Sequence, residues 1–95
     1  MPYEPPAAPP PPTRLEVEEK FVQLINGSLD RDTADRWAMR WVAARDPGVD
    51  DEVVWWGLTH LYGIDMPDLD RSYLHSDEQI ADWLDTYRAL CRDAG

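Results

Sequence analysis

Apolar residues recur along this chain at helical spacing, in runs separated by turn formers. Just after Pro12, Thr13 and Glu16 make an S/T-x-x-E box, in which each side chain satisfies a backbone donor at the other's position. Leu15, Val22 and Ile25, flanked by Phe21 and Leu24, continue the helical spacing, and Gly27 after Asn26 is a natural C-cap. A first helix is therefore predicted over 14–26. Leu29 leads to Asp30 or Asp32 as the next N-cap. Ala34, Trp37, Ala38, Trp41 and Val42 then fall at i, i+3, i+4, i+7 and i+8, one apolar stripe. Asp32, Arg36 and Arg40 take four-residue spacing on the other side. Pro47-Gly48 is expected to end this second helix.

Asp50, Asp51 and Glu52 put negative charge where the unpaired N–H groups of a third helix favour it. Val53, Val54, Trp55, Trp56, Leu58, Leu61 and Tyr62 wrap most of the way round that helix, which makes it central or covered by a partner. Gly63 closes it. Residues 64–75, IDMPDLDRSYLH, lack periodicity and read as an ordered loop, longer than most connections in a small domain. Ser76 and Gln79 form a second capping pair, with Asp77 and Glu78 in the first turn. Ile80, Trp83, Leu84, Tyr87, Leu90 and Cys91 share one face of a fourth helix that runs to about Arg92.

The fold class expected is all-α: a single four-helix-bundle-like domain over residues 13–95, either up-and-down or with one helix displaced. Residues 1–12, MPYEPPAAPPPP, fall outside it, because proline fixes φ and removes backbone donors. They are expected as a disordered tail rich in polyproline II. The PxxP spacing from Pro6 to Pro9 has no Arg or Lys beside it to orient a docked ligand, which favours a solvated tail.

A unit of this size buries only about 60–65% of its unfolded surface, which leaves no room for a deep substrate cavity. The single cysteine, Cys91, excludes an internal disulfide and a cysteine-based zinc cluster. No apolar run approaches the ~18 residues of a membrane span, and no basic and apolar leader opens the chain, so a cytoplasmic protein with no membrane contact is expected. Charge changes the picture more. Nineteen acidic residues against nine basic ones give a formal net charge of −10. Such a field repels phosphate backbones and attracts basic proteins. Direct nucleic-acid contact is therefore not expected, and a basic protein is the expected partner.

Catalytic chemistry finds little support. Asp65, Asp68 and Asp70 lie close enough for a cation site, but counting from Asp68 the sixth position is Tyr73 rather than Gly and the twelfth is Gln79 rather than Glu, so the EF-hand pattern fails. A solvated acidic surface accounts for them better. His60 lies inside the third helix and His75 just before the Ser76 cap, with no metal-binding spacing. Cys91 shares a stripe with Leu84 and Tyr87, where a thiol acts as a small hydrophobe. No catalytic residue, metal or cofactor is expected. Trp55 and Trp56 point about 100° apart on a helix, so the bundle core holds both or one becomes an interface anchor.

The segments FVQLINGSLDRDTADRWAMRWV and YLHSDEQIADWL resemble, in layout, small acidic all-α bacterial immunity proteins of the colicin D immunity type. That resemblance implies a four-helix bundle that blocks a toxin's active cleft, often that of a tRNA-cleaving enzyme, with acidic side chains in place of phosphate. The leading expectation is an inhibitor of a basic toxin, a nuclease among the candidates. Its partner-binding surface is expected from Asp50, Asp51, Glu52, Trp55, Trp56, Asp65, Asp68, Asp70, Tyr73, Asp77 and Glu78. The alternative is a small regulatory or adaptor domain that forms a homodimer or binds another protein through the Trp55/Trp56 surface.

Overall fold

The computed structural model describes residues 8–66 and 75–94. It is an all-α domain of four helices: α1 (Arg14–Asn26), α2 (Arg31–Val42), α3 (Glu52–Leu61) and α4 (Asp77–Ala94). Local chemistry sets most of their ends. Thr13 and Glu16 cap α1 reciprocally, and Gly27 ends it in the left-handed region at φ 82°. Asp30, rather than Asp32, caps α2 by accepting from the Thr33 N–H. At α3, Asp51 accepts from Val53 and Val54. Only half of the predicted capping pair forms at α4: Ser76 Oγ accepts from the Gln79 N–H, while the Gln79 side chain bonds the His75 ring.

Two expectations change. α2 stops at Val42 rather than running to Pro47, because only the small Ala43 and Ala44 follow before Arg45 and Asp46, and no large apolar side chain holds a further turn against the core. In α1 the buried stripe is Val17, Phe21 and Leu24, whereas Leu15 and Ile25 are 62% and 44% exposed. At about 100° per residue, the two sets lie roughly a third of a turn apart. The face carrying the aromatic ring is the one that packs.

α1, α3 and α4 form the centre, where Phe21, Leu58, Leu61, Ile80 and Tyr87 are fully buried. α3 packs on all three other helices, whereas α2 rests on α3, touches α1 lightly and does not pack on α4. The arrangement is a bundle with one displaced helix. Central packing is tightest at Gly57, in the middle of α3. A Cβ there would overlap a methyl of Val17 and come 3.1 Å from the Tyr87 ring. The Tyr87 hydroxyl in turn donates to the Arg14 carbonyl at 2.8 Å, tying α4 to the start of α1.

No helix among the described residues is long and apolar enough to cross a membrane. Residues 8–12 lie against the domain: Pro12 is buried, Ala8 packs on the core, and the Pro9 carbonyl accepts from Trp41 Nε1 at 3.0 Å.

Gly57→Ala separates packing from propensity. Alanine favours a helix interior by about 1 kcal/mol over glycine, but overpacking against the β-branched Val17 and a buried ring costs about 1–3 kcal/mol. A net loss of stability is expected in urea unfolding, larger for Gly57→Val.

Candidate functional site

The acidic and aromatic residues singled out from the sequence do not form one surface. Asp50, Glu52 and Trp55 come together, with Asp46 and Val49, around an open cavity of about 400 Å³ beside the start of α3. Asp51 turns away from it. Its Oδ2 accepts from Arg14 Nε at 2.7 Å and its Oδ1 from the Val53 N–H at 2.9 Å. The Arg14 hydrogen bond, reinforced by the backbone donors, holds this carboxyl below the usual carboxylate range. Trp56 stacks on His60 at 3.8 Å and at longer range on Tyr87, and Trp83 meets both histidines edge-on or tilted. His60 Nδ1 also bonds the Trp56 carbonyl.

At α4, Asp77 pairs with Arg31 at 2.8 Å, and Glu78 is exposed. Asp65 lies instead beside Asp32 and Asp35, the three carboxylates being within 4.8 Å of one another. Two of them already have partners: Asp32 pairs with Arg36, and the nearly buried Asp35 accepts from the Gly63 N–H at 2.7 Å. This cluster is thereby accounted for as a link between α2 and the end of α3. Asp68, Asp70 and Tyr73 lie outside the described residues.

The feature that sequence reasoning passes over is the distribution of the basic residues. α2 carries Arg31, Arg36 and Arg40 against Asp32 and Asp35, so among the described helices it alone has a positive balance. α4 carries Arg88 and Arg92 against five acids. Arg14 and Arg88 are used in ion pairs with Asp51 and Glu18. Arg31, its side chain 10% exposed, reaches the carbonyls of Ile64 and His75 as well as Asp77. Arg36, Arg40 and, just beyond the helix, Arg45 are exposed, Arg36 in a surface ion pair with Asp32 at 2.7 Å. Lys20 of α1 joins this side, with Nζ 5.0 Å above the Trp37 ring. The run ends sharply, since Asp46, Asp50 and Glu52 around the neighbouring cavity reverse the sign. The four-residue spacing of Arg36 and Arg40 is the sequence signal that marks this face.

A small helical domain with one cationic outer helix and acidic remaining faces is thus the class of protein the geometry defines. Residues 11–87 match the family described as YxzC DNA-binding protein, and the chain belongs to that family. It is similar to the uncharacterized protein YxzC of Bacillus subtilis (strain 168), with 38% identity over 73 residues, which covers 77% of this chain and 60% of that protein. The chain thus spans less than two thirds of the length of this relative. No solved structure matches.

Family membership corrects the functional expectations. The immunity-protein resemblance fails, because an amphipathic helix, a Gly turn and a Trp-rich helix are common to many helical bundles and carry no diagnostic contact. The toxin-inhibitor reading, its adaptor and homodimer alternative, and the basic-protein partner fall with it. The exclusion of nucleic acid is also overturned by the family's description. It rested on net charge, which is an average over the surface, whereas phosphate contact depends on local charge.

The Asp51–Arg14 pair has a pH signature. Because the folded carboxyl titrates lower than the unfolded one, its stabilisation is full above about pH 4 and is lost as pH falls through the depressed folded value. Asp51→Asn should flatten the acid limb of a stability-versus-pH curve measured by urea unfolding. An unchanged limb would show that the pair does not couple folding to protons.

Proposed function

We propose that this chain binds double-stranded DNA without catalysing a reaction on it, and that the contact is made by the outer face of α2. The observation that carries the reading is the position of Arg36, Arg40 and Arg45, exposed together on and just beyond the one helix of positive balance in an acidic chain. Membership of a family described as DNA-binding supports it. The twelve residues of α2 make a rod about 18 Å long, and a helix of that kind fits the major groove, which is about 12 Å wide. A short connection, residues 27–30, joins α1 to α2. By analogy, helix-turn-helix proteins also present the second of two closely connected helices to DNA.

Acidity elsewhere has a role in this reading. α4 and the cavity rim repel phosphate, so the duplex can approach in only one orientation. The footprint is small. Three or four phosphates would be neutralised, giving a logarithmic salt slope of about −3. The proposed location is the cytoplasm, where bacterial DNA is found. His60 and His75, engaged with Trp56, Trp83 and Gln79, serve packing in this reading.

Fluorescence anisotropy with a labelled duplex of mixed sequence, across a salt series, tests the proposal. R40E/R45E should weaken binding more than tenfold and reduce the salt slope by about 2. Arg92→Glu on α4 should change affinity less than twofold. Absence of wild-type binding at low salt, or equal losses for the two variants, would refute contact through α2.

A further inference from the structure

α2 lacks the neighbours that hold the other helices. It packs on α3, touches α1 lightly and does not pack on α4. Its inner face is mostly small, with Ala34 and Ala38 fully buried. Trp41, 3% exposed, is its one large side chain that is buried, with Trp37 and Val42 packed against the core at its margin. An indole N–H in that position needs an acceptor, and none of the helices supplies it. The acceptor is the Pro9 carbonyl, 3.0 Å from Nε1. Ala8 packs on the core beside it, and Pro12 is buried where the chain enters α1.

We infer that residues 8–12 are a strap that closes over Trp41 and locks the cation-bearing helix to the bundle, so that DNA affinity depends on whether the strap is shut. The inference rests on the DNA-binding reading for its functional half. Proline suits such a strap. With φ fixed in four successive residues, Pro9 to Pro12, the segment loses little conformational freedom on docking. Proline also donates no backbone hydrogen bond, so the strap can dock by presenting carbonyls alone. The single polar link at Trp41 makes the strap releasable without unfolding α1, α3 and α4. Closing it fixes the register in which Arg36, Arg40 and Arg45 meet a regularly spaced phosphate backbone. Opening it removes the anchor at the C-terminal end of α2 while Arg31 and Asp35 still hold the start and middle, so Arg40 and Arg45 lose their fixed position relative to Arg36.

The test uses the full chain carrying P9G/P10G/P11G, which keeps the carbonyl but loosens the segment. Hydrogen exchange of the Trp41 indole N–H, followed by NMR, should accelerate at least tenfold, while the backbone amides of Phe21 and Leu84 exchange as in the wild type. Affinity for the same labelled duplex should fall at least threefold. Unchanged indole exchange overturns the strap. Accelerated exchange with unchanged DNA affinity overturns its control of binding. A wild type that binds no duplex removes the DNA reading and the control of binding with it, while the indole exchange still decides whether a strap exists. If the triple variant loses its helix signal, Ala8→Asp, which sets a charge against the core, is measured in the same way with the same outcomes expected.

Discussion

The architecture depends on a missing side chain. At Gly57, α3 comes close enough to α1 and α4 that Val17 and Tyr87 fill the space a Cβ would need. That approach puts the Tyr87 hydroxyl within reach of the Arg14 carbonyl, and Arg14 then extends to Asp51 at the start of α3. Three helices are thereby joined through one short chain of contacts, with the Phe21 and Tyr87 rings 5.8 Å apart inside it. Burial of these rings with the rest of the apolar core supplies the driving force, and the polar links fix the geometry.

The fourth helix is attached in another way. α2 has a polar link near its start, its middle and its end: Arg31 to Ile64, His75 and Asp77, Asp35 to the Gly63 N–H, and Trp41 to the Pro9 carbonyl. Each link is directional, so together they set the rotation of α2 about its own axis. That rotation keeps Arg36 and Arg40 outward while Ala34 and Ala38 face α3. The fold thus sets a peripheral helix bearing exposed arginines beside three helices of net negative charge, and an acidic chain can offer phosphate a local site of opposite sign.

Helix positions are legible in the sequence because caps are local chemistry. Thr13 with Glu16, Asp51, and Gly27 each act through neighbours within a few residues. Choices that depend on tertiary packing are not legible in the same way. Leu15 and Val17 both begin plausible stripes, and only the placement of α3 and α4 selects Val17. Pro47 marks where α2 must stop, yet the helix ends earlier because it needs packing more than it needs a stop signal. The proline segment reads as solvated because its partner, Trp41, lies 32 positions away. The candidate site escapes the sequence for a related reason. Arg14 and Arg31 are drawn into partly buried ion pairs, whereas Arg36, Arg40 and Arg45 are exposed, Arg36 beside Asp32, so which arginines face solvent depends on the fold, and a net charge of −10 conceals it.

The most direct measurement is an NMR titration of the isotope-labelled chain with a short duplex, following every backbone amide and arginine side chain. Contact through α2 requires the largest shifts at Arg36, Arg40, Arg45 and Lys20, with Asp82, Asp85 and Asp93 on α4 unchanged. Shifts centred on α4 or on the cavity beside Trp55, or no shifts at low salt, would contradict it.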